Sequence, residues 1–180
     1  MLALLFIITI ILLSIELSYV GKVMGFIQDK FAITDLSKLF LSSFIVFLFI
    51  TIGYILSLFL TSILHNKEWY ASTIIFILGI KLFYDGIKLH KAKQLINTNN
   101  ISGLIISSIL IGLNSFFIGV SFGLIDINRS LIITSLGVLF AGAILGYATG
   151  LKLKKLNPHR FEFFIGIVYI VVAILLIVEL

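Results

Sequence analysis

Six long and nearly uninterrupted apolar segments constrain the fold of this chain more than any other feature. A helix needs about 20 mostly apolar residues to cross the hydrocarbon core of a bilayer. Hydrophobic residues make up 61% of the chain and charged residues 12%, whereas a soluble domain carries about a quarter charged residues. The mean hydropathy of +1.24 agrees with this. The sequence therefore predicts an all-α integral membrane protein with six spans, at Leu2–Met24, Leu39–Leu64, Trp69–Leu89, Ile101–Ile125, Leu131–Leu151 and Phe163–Val178.

The basic residues predict how these spans are oriented. Loops one, three and five carry ten Lys and Arg residues, whereas loops two and four carry only Lys67 and Arg129. The positive-inside rule places the odd loops in the cytoplasm and both termini outside, which we expect to be a bacterial inner membrane. No basic residue precedes the first apolar run and no small-residue cleavage site follows it, so we expect a retained helix rather than a signal peptide.

The first and fourth spans carry the same pattern at an offset of 98 residues. Glu16 and Asn114 are each followed, at equal spacing, by an aromatic residue, an aliphatic residue and two glycines: Tyr19, Val20, Gly21 and Gly25 in one case, Phe117, Ile118, Gly119 and Gly123 in the other. Three spans per half reverse the second half in the membrane, so the sequence predicts two inverted three-helix repeats, as in many transporters. We expect one membrane domain, with repeats at about 1–90 and 101–180 and a cytoplasmic linker at about 90–100.

Small residues recur at every fourth position in three of the spans. Such runs allow helix backbones to approach closely in lipid, so we interpret them first as packing surfaces. Close packing of spans one and four would bring Glu16 and Asn114 together. The glycines concerned are Gly21, Gly25, Gly119, Gly123, Gly142, Gly146 and Gly150, with Ser115 in the second run.

Polar side chains inside the spans are the candidate functional residues, because they are costly in a bilayer. Glu16 could bind a cation, carry a proton or pair with a buried base, and Asn114 could bind a ligand or join two helices. Lys81 lies one helical turn before Asp85, so it could pair with Asp85, with Glu16 or with both. Ser14, Ser18 and Ser115 flank the two polar centres and could add oxygen ligands or bond to their own helix.

The chemistry of these residues favours transport over catalysis. Every candidate ligand is an oxygen atom, which suits hard divalent cations. The chain has no cysteine, and it shows no nucleophile with a base, no phosphate-binding loop and no cofactor motif. We therefore expect neither an enzyme nor a bound cofactor, and no nucleic-acid partner, since the aromatics lie in the spans. The bilayer and a cation are the expected partners, and the sequence does not indicate an oligomeric state.

With these motifs the chain resembles the MntP-type manganese efflux pumps, which are related to the LysE-type exporters. Ser14-Ile15-Glu16 is similar to the Ser-x-Asp signature of that family's first span, and Gly112-Leu113-Asn114 takes the place of a second such signature. Gly79-Ile80-Lys81 with Asp85-Gly86 matches the third span. The chain departs from the family where Asn114 replaces an acid and where span two lacks a polar residue followed by proline.

The resemblance implies a membrane exporter of a divalent cation, Mn²⁺ above all. Glu16, Asn114 and Asp85 would bind the cation, with the metal held chiefly by Glu16 and Asn114, and Lys81 would gate the site or tune its charge. The two halves would rock about that site by alternating access, coupled to a proton or to the membrane potential. Two alternatives stay open: a non-transporting scaffold or partner protein with the same fold, and an exporter of another small solute.

Overall fold

The computed structural model describes residues 1–28, 33–88, 100–153 and 161–179. Within these ranges the chain is all-helical. The predicted linker, apart from Asn100, lies outside the described residues, as do several basic loop residues (Lys30, Lys91, Lys93, Lys154, Lys155 and Arg160). The helices are α1 (Leu2–Ile27), α2 (Ile33–Leu60), α3 (Lys67–Lys88), α4 (Ile101–Leu124), α5 (Arg129–Leu153) and α6 (Phe161–Glu179).

Length and composition identify five of these helices, α1 to α5, as able to cross a membrane. The apolar part of α6, Glu162–Val178, is shorter. At a rise of 1.5 Å per residue, the 19 residues of α6 extend about 28 Å, close to the thickness of the hydrocarbon core. Large apolar side chains are exposed on all six helices, among them Ile11, Ile52, Ile77, Leu110, Leu145 and Ile174. A surface of this kind is suited to lipid, so the chain is a multi-pass membrane protein.

The start of α2 differs from the prediction. The sequence places the second span from Leu39, whereas α2 begins six residues earlier at Ile33. The additional turns contain Asp35 and Lys38, which break the apolar pattern, so the sequence predicts a loop there. A carboxylate in the first turn of a helix is stabilised by the helix dipole, and Asp35 is there 1% exposed.

Helices pack in three principal pairs: α1 with α5, α2 with α4, and α3 with α6. The pair of α1 and α5 runs parallel, because Gly21 faces Ala143 and Gly25 faces Tyr147. In α2 and α4, also parallel, Gly53 faces Phe116 and Gly123 faces Ser57. In α3 and α6, which are antiparallel, Gly79 faces Ile170 and Gly86 faces Phe163. These three directions agree with helices that alternate along the chain, as repeated crossing of a bilayer requires.

The glycines pack against different partners from those predicted. The predicted close packing of spans one and four would place their small-residue runs against each other. In the structure the glycines of α1 contact the α5 backbone and those of α4 contact α2. At Gly146 of α5 an added Cβ would collide with the Ser18 carbonyl oxygen of α1. Spacing along one helix reveals a surface for close approach, but it carries no information on which helix fills that surface.

Candidate functional site

A polar network joins α1, α3 and α4 near the middle of these helices. The Asn114 Nδ2 atom donates a hydrogen bond of 3.3 Å to Glu16 Oε2. Asn114 is 7% exposed and Glu16 is half-buried. The direct contact of α1 with α4 brings the two residues within reach of each other, even though neither helix has the other as its principal partner.

Lys81 completes the network from α3. Its Nζ atom donates a hydrogen bond of 2.8 Å to Asn114 Oδ1, so the amide stands between the ammonium and the carboxylate of Glu16. The Asn114 side chain uses its acceptor towards Lys81 and its donor towards Glu16, which fixes the orientation of the amide. The link from Lys81 to Glu16 thus runs through Asn114.

Asp85 lies outside this network. It is half-buried on α3, one turn beyond Lys81. In the part of the chain that the structure describes, Asp85 forms no ion pair with Lys81, whose ammonium bonds to Asn114.

The three candidate serines bond to backbone carbonyl groups. Ser14 donates to Ile11 at 2.8 Å and Ser18 donates to Ile15 at 2.7 Å, both within α1. Ser115 lies 2.7 Å from the Gly112 carbonyl oxygen and 3.1 Å from that of Val46, which ties α4 to α2. No hydrogen bond is described from these hydroxyl groups to Glu16 or Asn114. Their contribution is to the helices that carry the network.

Tyr169 of α6 is a residue that the sequence reasoning missed. Its side chain is completely buried, and it lies within electrostatic range of the Glu16 carboxylate. Among the described residues its hydroxyl group has no hydrogen-bond partner. A buried hydroxyl without a partner costs about 1–3 kcal/mol, so it calls for an explanation such as a ligand or a water molecule. The signal in the sequence is weak, because Tyr169 contributes one polar atom to an otherwise apolar span.

A second cluster, also missed, lies where α1 ends and α2 begins. The Tyr147 hydroxyl of α5 donates to Asp35 Oδ2 at 2.6 Å, and Gln28 Nε2 donates to Asp35 Oδ1 at 2.9 Å. Lys38 Nζ lies 3.7 Å from the same carboxylate. At the opposite end of the bundle, Tyr54 of α2 donates to the Ile127 carbonyl oxygen over 3.5 Å. Tyrosines thus bind α2 at both ends, to α5 itself at the Asp35 end and to the turn that precedes α5 at the other, with the shorter bond at the Asp35 end.

The central network offers one carboxylate, one amide oxygen and a nearby phenol, opposed by one ammonium. Across residues 1–28, 33–88, 100–153 and 161–179, no three His, Asp or Glu side chains gather into a metal site. Any cation held here would therefore rely on Glu16 for negative charge and on neutral oxygens for its remaining ligands.

Many membrane transporters are helical bundles of this kind, with a polar network in the interior and apolar side chains towards lipid. Comparison with protein families is in agreement: residues 35–177 match the model described as "Putative manganese efflux pump". The chain belongs to this family, which is a family of transporters and not of enzymes. The match includes Lys81, Asp85 and Asn114 but begins after α1, so it does not extend to Glu16.

Two curated relatives carry the name "Putative manganese efflux pump MntP". The protein from Methanoregula boonei is 29% identical over 121 residues, which cover 67% of this chain and 65% of the relative. The protein from Methanothermobacter thermautotrophicus is 24% identical over 112 residues, which cover 62% and 59%. The chain thus aligns with less than two thirds of the length of each relative. No solved structure matches it.

Proposed function

We propose that this chain exports a divalent cation, with Mn²⁺ as the favoured substrate, by alternating access around Glu16 and Asn114. The observation that carries the proposal is the hydrogen bond between these two residues inside a bundle that belongs to an efflux-pump family. An ionisable residue in the interior of a membrane protein is kept chiefly where substrate or protons pass. The names of the two relatives favour manganese.

The helix pairing supports the inverted repeat on which such a mechanism depends. If the halves are exchanged, so that α1 takes the place of α4, α2 of α5 and α3 of α6, the pair of α1 and α5 becomes that of α4 and α2. The pair of α3 and α6 becomes itself. The three principal pairs are therefore unchanged by the exchange, as a pseudo-two-fold axis in the membrane plane requires.

Individual contacts obey the same exchange. Gly21 packs against the Ala143 carbonyl, and its counterpart 98 residues on, Gly119, packs against the Ile50 carbonyl. Ile50 in turn precedes Ala143 by 93 residues, and the same offset relates the similar motifs Ile52-Gly53-Tyr54 of α2 and Leu145-Gly146-Tyr147 of α5. The same two offsets relate two further pairs of contacts. The contact of Gly146 with Ser18 corresponds to the contact of Gly53 with Phe116. The contact of Gly142 with Ser14 corresponds to the contact of Gly112 with Phe49.

The pairing also refines which bodies move. Each of the pairs α1 with α5 and α2 with α4 contains one helix from each half, held by glycine-to-carbonyl contacts. Separating the halves as rigid units would break both interfaces. We therefore assign the rocking motion to the pair of α1 and α5 against the pair of α2 and α4, with the site at the contact of α1 with α4.

Hydrogen bonds at opposite ends of the bundle are suited to act as gates. Tyr147 of α5 binds the Asp35 carboxylate of α2 at one end, and at the other Tyr54 of α2 binds the Ile127 carbonyl, in the turn that leads into α5. A hydrogen bond to a carboxylate is roughly twice as strong as one between neutral groups. Opening the Asp35 end would therefore cost more than opening the Ile127 end. With the odd loops in the cytoplasm, the Asp35 end is the cytoplasmic one.

The direct test of the function is flux from liposomes that contain the purified protein. Export predicts uptake of Mn²⁺ into vesicles, which competing Mg²⁺, Ca²⁺ or amino acids would reduce if they share the site. A second candidate, a non-transporting scaffold, draws support from the charge balance between Glu16 and Lys81, since such a network can be purely structural. Absence of flux with every cation tested would favour the scaffold.

Replacing Tyr169 separates a ligand-binding hydroxyl from a structural one. Tyr169→Phe removes an oxygen that bonds to none of the described residues, so we expect the thermal stability to stay unchanged or to rise slightly. We expect the KM for Mn²⁺ to increase about tenfold, the equivalent of one lost polar contact of about 1.4 kcal/mol. The measurements are thermal unfolding in detergent and initial rates in liposomes. An unchanged KM would remove Tyr169 from the site.

The proposed orientation can be tested with single cysteines, because the chain contains none. His65→Cys lies in the exposed turn between α2 and α3, on the proposed outer side. Lys93→Cys lies in the linker between the halves, on the proposed cytoplasmic side. A membrane-impermeant maleimide should label the first cysteine in intact cells and the second only after permeabilisation. The reverse pattern would invert the topology.

A further inference from the structure

The ammonium of Lys81 occupies a ligand atom of the proposed cation site. Its Nζ lies 2.8 Å from Asn114 Oδ1, the only side-chain atom of Asn114 that could coordinate a metal. An ammonium hydrogen-bonded to that oxygen and a cation coordinated by it would repel each other at close range. Occupation of the site by a cation therefore requires Lys81 to leave.

Charge reinforces this competition. With Lys81 in place, the positive charge of its ammonium balances the negative charge of Glu16 across Asn114. An arriving cation meets a site that is neutral overall. Once Lys81 withdraws, the carboxylate is left for the cation alone.

Lys81 has both the freedom to withdraw and a partner to move to. Its side chain is exposed, and Asn114 is its one described hydrogen-bond partner. Asp85 lies four residues further on, and residues at this spacing are neighbours on a helix surface. Asp85 has no described hydrogen bond or ion pair, so its carboxylate can receive the displaced ammonium.

We propose that Lys81 is an internal competitor of the transported cation, bound to Asn114 in the empty site and to Asp85 in the loaded one. This inference rests on the proposed export function and adds the residue that determines selectivity. A divalent cation gains more from Glu16 than the singly charged ammonium it displaces. A monovalent cation gains no such advantage, so Lys81 excludes Na⁺ and K⁺ from the site.

The test is the KM for Mn²⁺ and its sensitivity to Na⁺ in liposomes. Lys81→Met removes the competitor, so we expect the KM to fall at least about tenfold, since one charge is lost close to a divalent ion. Na⁺ should inhibit this variant and not the unsubstituted protein. Asp85→Asn removes the alternative partner and should raise the KM. In the double variant that combines both substitutions, the KM should equal that of Lys81→Met alone.

Lys67→Met is the matched control: the same substitution at the other end of α3, where Lys67 pairs with Asp126. It should leave the KM unchanged. If Lys81→Met does not fold, Lys81→Gln keeps a donor for Asn114 without the charge and should lower the KM in the same way. An unchanged or higher KM in the Lys81 variants, with normal flux in the unsubstituted protein, would overturn this inference alone. Absence of flux from the unsubstituted protein would overturn the proposed function as well.

Discussion

Glu16→Gln is expected to abolish export while the protein still folds. The substitution preserves the shape of the side chain and an oxygen that can accept the Asn114 hydrogen bond. It removes the only carboxylate described in the central network. A divalent cation leaving water needs compensating negative charge, so we expect the transport rate to fall at least about 100-fold. Metal resistance of cells and Mn²⁺ flux in liposomes both report the loss.

Glu16→Asp is the matched control for this prediction. It keeps the charge on a shorter side chain and reproduces the Ser-x-Asp signature of the family that the chain resembles. We expect it to retain most of the flux. Full metal resistance in cells that carry Glu16→Gln, at normal expression, would refute the assignment of Glu16. Loss of folding, visible as aggregation in detergent, would instead indicate that Glu16 has a structural role.

Gly146→Ala is expected to have the largest effect on stability. A Cβ at this position would collide with the carbonyl oxygen of Ser18, which belongs to the helix backbone and cannot turn aside. The parallel helices α1 and α5 would have to separate along their interface. Forcing additional atoms into a well-packed interior costs about 1–3 kcal/mol, and we expect a value at the upper end. Unfolding in mixed micelles measures this change.

Gly137→Ala provides the comparison on the same helix. No atom lies within 4 Å of a Cβ added at Gly137. Alanine is the better helix former by about 1 kcal/mol, so the free energy of unfolding should stay constant or rise by up to that amount. Equal losses of unfolding free energy in Gly146→Ala and Gly137→Ala would mean that glycine stabilises α5 through its backbone conformation and not through contact with α1.

The sequence predicts the helices and the meeting of Glu16 with Asn114, but not how the network is connected. The sequence indicates both residues because polar atoms are rare in apolar spans, and it predicts their meeting from close packing of the small-residue runs of spans one and four. Those runs pack against α5 and α2, and the two residues meet through the smaller contact of α1 with α4. The sequence does not determine whether Lys81 pairs with Asp85, with Glu16 or with both. In the structure Lys81 bonds to Asn114, because α3 packs against α4. Helical periodicity in a sequence does not encode which helices pack together.

Two other features could not be inferred for the same reason. Asp35 lies among polar residues that are typical of a loop, and only its bond to Tyr147, more than a hundred positions away, makes it part of the buried structure. Tyr169 is the one polar residue in an apolar sixth span, and its electrostatic interaction with Glu16 depends on how α6 packs. Local sequence patterns describe single helices, whereas these features depend on which helices become neighbours.

The crossed pairing of helices has a consequence for how the protein is made. During translation α1 leaves the ribosome long before α5, and α2 leaves it before α4. The principal partners of α1 and α2 therefore belong to the second half of the chain, which is synthesised later. The glycine surfaces of the first helices must therefore remain in lipid, or beneath an insertion factor, until the second half arrives. Assembly of the bundle can finish only when nearly the whole chain has been synthesised. A ribosome that stalls within the linker would leave three helices without the partners that hold them.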